Sequence, residues 1–129
     1  MGERHIINTS RAPAAIGPYS HAVEATGRFF FISGQIGLRP DGKLAGPTIE
    51  EQTRQVINNI RGILDAAGMT PANLVKTTIY LTNLEHFSVV NDIYAEMVGA
   101  EPPARSTVQV VRLPKDALIE IEAIAVAGV

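Results

Sequence analysis

The segment GPTIEEQTRQVINNIRGILDAAG, residues 46–68, decides the fold because it predicts a long amphipathic helix. Pro47 and a capping box from Thr48 to Glu51 open the segment, and Gly68 closes it. Between these signals, apolar residues recur at helical spacing along one stripe: Val56, Ile60, Ile63, Leu64 and Ala67. A helix of this kind needs an apolar surface to cover, so the next question is what the flanking segments supply.

The segment TNLEHFSVVNDIYAEMVG, residues 82–99, repeats the same design. Thr82 and Glu85 form a second candidate capping box, and Gly99 ends the segment. Its apolar stripe consists of Phe87, Val90, Tyr94, Met97 and Val98. The pattern predicts a second amphipathic helix.

The flanking segments predict strands, because they are rich in β-branched and aromatic residues and end at turn residues. The first two join at a turn around Gly27, the last two are joined by RLPKD, and a short strand is expected near Ile6. The five segments are HAVEAT (21–26), RFFFISGQ (28–35), LVKTTIYLT (74–82), STVQVV (106–111) and ALIEIEAIAV (117–126). Two helices can cover only one face of such a sheet, so the chain is predicted to be an α+β two-layer sandwich.

Alternation along the last strands suggests what each face of the sheet carries. The face expected under the helices is wholly apolar and consists of Ile119, Ile121, Ala123 and Ala125. The opposite face mixes Leu118, Glu120, Glu122, Ile124 and Val126, and we expect Arg105 to lie on this uncovered face as well. The apolar part of this face is unfavourably exposed to water in a single chain, and contact with another subunit would bury it, which predicts a homo-oligomer.

Composition excludes several classes of function. The 129 residues are 46% hydrophobic and 19% charged, which suits a single domain over residues 1–129 with one core. The net charge of −2 and the 5% aromatic content argue against a nucleic-acid groove, and the absence of cysteine excludes thiolate chemistry. MGERHIINTS at the start has no apolar leader region, so a cytoplasmic protein with no membrane partner is expected.

Arg105 stands out because a guanidinium at the entry to an apolar strand needs an anionic partner. One interpretation is a structural ion pair with Glu120 or Glu122. The other is a fork that grips a substrate carboxylate through two parallel hydrogen bonds. Glu120 itself is either an ordinary strand residue or, if partly desolvated, a group that relays protons or orients water.

Four further residues are candidates for a pocket, each with a plainer structural alternative. Tyr19 follows Gly17 and Pro18 in a sharp turn, and it either packs against the protein or lines a pocket. Ser33 and Gly34 end an apolar strand and form either a bulge or a place where a ligand comes close to the backbone. Asn91 is either a helix boundary residue or a polar site residue. The histidines at 5, 21 and 86 lack ligand spacing, and the glycine-bearing loop lacks a nucleotide fingerprint. Neither a metal nor a nucleotide cofactor is expected.

Four segments together resemble the RidA family, also called YjgF or endoribonuclease L-PSP. They are APAAIGPYSHAV (12–23), SGQI (33–36), AAGMTPANLVKTTIYLTNLEHFSVVNDIY (66–94) and PPARSTVQVVRLPKDALIEIEAIAV (102–126). The resemblance implies a chorismate-mutase-like fold and a homotrimer with clefts between its subunits. It also implies cofactor-independent hydrolysis of small imines and enamines that carry a carboxylate, such as 2-aminoacrylate, 2-iminopropanoate and 2-iminobutanoate, to 2-oxo acids and ammonia.

The resemblance also assigns roles to residues of this chain. It implies that Arg105 binds the substrate carboxylate, Glu120 handles water and Tyr19 lines the pocket. It gives Gly34, with Ser33 beside it, a backbone contact near the imine.

Asn91 matches a polar pocket residue of the family. Thr107 stands where relatives often have cysteine, which keeps hydrogen bonding and removes thiol chemistry, and His21 stands where many relatives have glutamine. An endoribonuclease or translation inhibitor, and a non-catalytic small-molecule-binding module, are the alternative functions.

Overall fold

A mixed sheet with two helices on one face forms the body of the computed structural model, which describes residues 2–129. The helices are α1, Ile49–Ala66, and α2, Phe87–Val98. Short 3₁₀ turns precede β4, α2 and β6. The strands are β1 (Glu3–Ile7), β2 (Ala22–Thr26), β3 (Arg28–Ile36), β4 (Leu74–Leu81), β5 (Ala104–Gln109) and β6 (Ile119–Ala127). The predicted α+β two-layer architecture and the strand near Ile6 are confirmed.

The sheet has the strand order β3-β6-β4-β5, in which only β4 and β5 run parallel. Strands β1 and β2 form a separate antiparallel pair. The expectation that β2 and β3 continue across a turn at Gly27 is right about the turn, where Gly27 has φ +133°. The two strands nevertheless pair with different partners, because β2 takes β1 and β3 takes β6.

Helix α1 begins and ends where the sequence predicts. The Thr48 hydroxyl accepts from the Glu51 N–H at 3.2 Å, the Glu51 carboxylate accepts from the Thr48 N–H at 3.4 Å, and Gly68 has φ +74° just beyond the helix. The stripe is less regular than predicted, since Ile63 is 38% exposed while Gln52 is buried. Gln52 is satisfied there because its amide donates to the Gly46 carbonyl and accepts from the Leu118 N–H.

The predicted start of α2 is wrong. Asn83, rather than Thr82, caps this region: its side-chain oxygen accepts from the Glu85 N–H at 2.9 Å and opens a 3₁₀ turn over Leu84–His86. Helix α2 proper then begins at Phe87. Asparagine is a stronger N-cap than threonine, and its side-chain oxygen takes the Glu85 N–H that the predicted capping box assigned to Thr82.

The core lies between the helix stripes and the apolar face of β6. Its β6 members are the four residues predicted to face the helices, Ile119, Ile121, Ala123 and Ala125, all at most 4% exposed. Truncating a core leucine such as Leu64, which is fully buried, would cost about 2–5 kcal/mol. Neither helix within residues 2–129 combines the length and apolarity that a bilayer span requires.

Candidate active site

Arg105 lies on the helix-facing side of β5, which corrects the expectation that it shares the uncovered face with Glu120. In the parallel β4–β5 register Arg105 stands beside Thr77, and Thr77 is fully buried with its hydroxyl 2.7 Å from the Tyr94 hydroxyl of α2. Alternation divides β5 into two sets of side chains, but it does not say which set meets the helices. The contact between Thr77 and Tyr94 decides this.

The guanidinium of Arg105 is held by neutral groups. Its Nη1 donates to the Asn91 side-chain oxygen at 2.8 Å, and its Cζ lies 5.3 to 5.5 Å from three aromatic ring centroids, those of Tyr19, Phe87 and Tyr94. Cation–π contacts of this kind are each worth about 0.5–1 kcal/mol or more when desolvated. These contacts orient the fork without neutralising its charge.

Arg105 has no acidic partner within residues 2–129: none of their carboxylates lies within 4.0 Å of its nitrogens. The interpretation of a structural ion pair with Glu120 or Glu122 is therefore wrong for this chain by itself. Burial lowers the pKa of Arg105, and the neighbouring Tyr94 and Tyr19 oppose that shift. A half-buried cation without a counter-ion is a candidate for binding an anion.

Tyr19 reaches Arg105 because its neighbours are tied to the start of β5. The Ser20 N–H donates to the Pro103 carbonyl at 3.1 Å, and the Ser20 hydroxyl donates to the Pro102 carbonyl at 2.6 Å. Gly17 lies against the guanidinium, where an added Cβ would come within 3.0 Å of Arg105 Nη2. A side chain here would crowd the guanidinium, so glycine lets the loop approach Arg105 without displacing it.

Thr107 follows Arg105 on the same side of β5. Its hydroxyl oxygen is buried, and no hydrogen-bond partner for it occurs in the part of the chain that the structure describes. Buried hydroxyls are normally satisfied, so this group is available to a bound molecule. Four predicted site residues thus come together here, namely Tyr19, Asn91, Arg105 and Thr107.

A second cluster lies on the uncovered face of the sheet and joins Glu120 to Ser33 and Gly34. The pairing of β3 with β6 shifts register between Ile32 and Gln35, so the predicted bulge at Ser33 and Gly34 is confirmed. An added Cβ on Gly34 would lie 2.1 Å from Glu120 Oε2. The glycine therefore leaves room for the Glu120 carboxylate to rest on the bulge.

The two clusters do not meet within one chain. Arg105 points to the helices from β5, whereas Glu120 points to the open face from β6, and β4 lies between these strands. Adjacent strands are about 4.8 Å apart, so about 10 Å of sheet separates them in addition to their opposite directions. One small molecule cannot contact both groups of the same chain.

Sequence reasoning placed Phe87 and Tyr94 in a core stripe and missed their contact with Arg105. Tyr94 is fully buried, and burial raises its pKa to about 12 against the opposing effects of Thr77 and Arg105. Only the helical period marked these residues, and that period is the same for a core residue and a cation-binding ring. No group of three potential metal ligands assembles anywhere in 2–129.

The family model described as endoribonuclease L-PSP matches residues 9–127. A 2-iminobutanoate/2-iminopropanoate deaminase of Capra hircus is 48% identical over 126 residues, which are 97% of this chain and 91% of that protein. A Yersinia pestis protein of the conserved Rid family has a crystal structure that superposes with a TM-score of 0.75 at 50% identity, covering 97% of this chain and all of that one.

The crystal structure of E. coli TdcF with bound serine superposes with a TM-score of 0.73 at 41% identity, covering 96% of this chain and 99% of that one. The match to the family model spans nearly the whole chain, and the identities lie well above the level at which only a fold is shared. This chain therefore belongs to the RidA family, the family of the endoribonuclease L-PSP model.

Proposed function

We propose that this protein is an imine deaminase that hydrolyses 2-iminopropanoate and 2-iminobutanoate, or the enamines in equilibrium with them, to 2-oxo acids and ammonia. The observation that carries the proposal is the half-buried guanidinium of Arg105, which neutral groups orient and no acid of residues 2–129 neutralises. A planar fork of this kind matches a small carboxylate through two parallel hydrogen bonds. The deaminase name of the Capra hircus relative and the serine bound to TdcF support this substrate class.

The proposed reaction adds water across the C=N bond. Arg105 holds the carboxylate, Glu120 accepts a proton from the attacking water, and the new C–O bond forms as the imine nitrogen gains electron density. Glu120 then returns its proton to that nitrogen and the C–N bond breaks. Ammonia leaves as the hydroxyl gives its proton back to Glu120 and the carbonyl forms. A protonated imine is already electrophilic, so positioning and proton transfer supply the acceleration, about 10²–10⁴-fold, without a cofactor.

The proposal requires a second copy of the chain, because Arg105 and Glu120 of one chain face opposite sides of the sheet. We propose a homotrimer in which the open face of one subunit brings its Glu120 and Gly34 to the Arg105 cluster of the next. Exposed apolar side chains on that face support the assembly: Phe31 is 77% exposed and Val108 is 42% exposed. Exposed apolar side chains of this size are favourably buried between subunits.

In this proposal residues 1–129 act as one cytoplasmic domain with no cofactor. Tyr19, Asn91 and Thr107 complete the carboxylate side of the cleft, and Ser33 with Gly34 contacts the nitrogen side. The free hydroxyl of Thr107 supports its role, since a substrate oxygen would satisfy it.

The test uses an amino-acid oxidase to generate the imine and semicarbazide to trap whatever the protein does not consume. Wild type should lower the trapped fraction, and Arg105→Met should abolish that effect because it removes the guanidinium fork while keeping an unbranched side chain. Arg61→Met is the matched control, since Arg61 is exposed and its guanidinium makes a single hydrogen bond within residues 2–129, to the Glu96 carbonyl at 3.5 Å. Equal imine consumption by wild type and Arg105→Met would contradict the proposal.

An endoribonuclease is the second candidate, because the family model carries that description. It predicts RNA cleavage that weakens steeply with salt, as phosphate contacts do. Incubating the same preparations with RNA at low and high salt separates the two functions. Cleavage that survives Arg105→Met, together with no effect on imine trapping, would favour the ribonuclease.

A further inference from the structure

A strap of chain, residues 8–21, connects β1 to β2 and lies over the Arg105 cluster. Two of its members touch the cluster, since Gly17 lies against Arg105 Nη2 and the Tyr19 ring stacks on the guanidinium. The strap is pinned internally by the Ile16 N–H, which donates to the Tyr19 hydroxyl at 3.2 Å. Its placement therefore sets one wall of the anion site.

His21 fastens the strap through three hydrogen bonds. Its backbone N–H donates to the Asn8 side-chain oxygen at 2.9 Å, its ring Nδ1 accepts from the Thr9 N–H at 3.1 Å, and its ring Nε2 lies 2.6 Å from the Pro13 carbonyl. Each bond closes a loop of 8 to 13 residues back onto the start of β2. His21 makes none of these bonds to the Arg105 cluster itself.

These partners select one form of the imidazole. A backbone N–H can donate only to a ring nitrogen with a free lone pair, so Nδ1 carries no proton. The Pro13 carbonyl can only accept, so Nε2 carries the proton. The strap is thus closed on the neutral Nε2–H tautomer, and a second proton on Nδ1 would face the Thr9 N–H and break that bond.

We propose that His21 is a positioning residue that keeps the strap, and with it Gly17 and Tyr19, on the Arg105 anion site only while its ring is neutral. The inference rests on the proposed function, because it assigns the strap to carboxylate binding. A second proton on the His21 ring breaks the bond from the Thr9 N–H and loosens the strap, so carboxylate binding weakens on acidification.

Neutral groups make the direct contacts with the ring, so nothing in those contacts compensates a new positive charge. The strap, the paired strands that flank it and the segment that Ser20 contacts also carry charged or titratable side chains. Those side chains are Arg11 and Tyr19 on the strap, Glu24 on β2, Glu3, Arg4 and His5 on β1, and Glu101 in the segment before β5. Within residues 2–129, none of these side chains makes a hydrogen bond or an ion pair with the His21 ring.

Glutamine is the informative substitution, because a carboxamide carries an acceptor and a donor on one carbon, as the imidazole carries its two nitrogens on one carbon. His21→Gln can accept from Thr9 and donate to Pro13, yet a carboxamide does not take up a proton on mild acidification. His21→Ala removes both ring bonds at every pH. His5→Gln is the matched control, since His5 lies on β1 and the one ion pair of its ring within residues 2–129 is to Glu3, at 3.6 Å.

The experiment measures KM and kcat for 2-iminobutanoate from pH 8 to pH 6. KM of the wild-type and His5→Gln proteins should rise on the order of tenfold as the pH falls, while KM of His21→Gln stays constant. KM of His21→Ala should be higher by about the same factor at every pH, with a smaller change in kcat. The same pH profile in wild type and His21→Gln would overturn the inference.

A second measurement does not depend on catalysis, so it distinguishes a wrong role for His21 in the strap from a wrong proposed function. In the full-length ¹⁵N-labelled protein, the ring shifts of His21 should report the Nε2–H tautomer at pH 8. Hydrogen exchange of the Thr9 amide should accelerate on acidification in wild type, relative to His21→Gln at the same pH. A ring with its proton on Nδ1 at pH 8, or equal Thr9 exchange in both proteins, would refute the role of His21 in the strap even if imine hydrolysis were absent.

Discussion

Replacing Gly34 with alanine tests the contact on which the second half of the proposed site depends. The new Cβ would stand 2.1 Å from Oε2 of Glu120, 2.8 Å from its Cδ and 3.1 Å from its Cγ. Such distances lie inside van der Waals contact, so the carboxylate must retreat by about 1 Å. Gly34 does not have a positive φ, so alanine fits its backbone and the effect arises from Glu120 alone.

Stability and activity should respond to this change by very different amounts. The atoms that clash belong to the end of a flexible side chain, so an off-rotamer cost of about 0.5–1.5 kcal/mol is the expected loss of unfolding free energy. A displacement of about 1 Å at a catalytic group can lower the rate about 100-fold. The Gly34→Ala protein should therefore stay folded and lose most of its deaminase activity.

The assay pairs urea unfolding with kcat/KM for 2-iminobutanoate. Gly62→Ala is the control, because an added Cβ there meets nothing within 4 Å and alanine is favoured over glycine in a helix by up to about 1 kcal/mol. In a Glu120→Ala background the Gly34→Ala change should have no further effect on rate, as expected for two coupled residues. A Gly34→Ala enzyme with wild-type kcat/KM would refute the placement of Glu120 in the reaction.

Three further changes test other parts of the structure. Arg105→Lys keeps the charge but loses the fork, so kcat/KM should fall about 10- to 100-fold while unfolding by urea changes little; an unchanged kcat/KM would argue against two-point carboxylate binding. Thr48→Ala removes the cap of α1 and should cost about 1 kcal/mol of unfolding free energy with activity retained. Thr77→Val leaves the buried Tyr94 hydroxyl without its partner and should lower the free energy of unfolding in urea by about 1–3 kcal/mol. A Tyr94→Phe change in the same protein removes the unpaired hydroxyl and should recover part of that free energy.

Local signals predicted those parts of the fold that depend on neighbouring residues. The cap of α1 at Thr48 and the bulge at Ser33 and Gly34 were both predicted from a few adjacent residues, because hydrogen bonds three residues apart and the absence of a side chain act locally. The start of α2 was not, since the prediction placed the cap at Thr82, whereas the adjacent Asn83, a stronger capping type, holds the Glu85 N–H. A contact distant in sequence also fixes this turn, because the Leu84 N–H donates to the Gln109 side chain at the end of β5.

The amino-acid order by itself determined the two amphipathic helices, the apolar face of β6 and the residue types that the site needs. Only the tertiary structure decided that Arg105 faces the helices while Glu120 faces the open side. The physical reason is that strand alternation sorts side chains into two sets but does not say which set faces the helices. Contacts between residues distant in sequence decide this, and here they are the pairing of β5 with β4 and the contact of Thr77 with Tyr94.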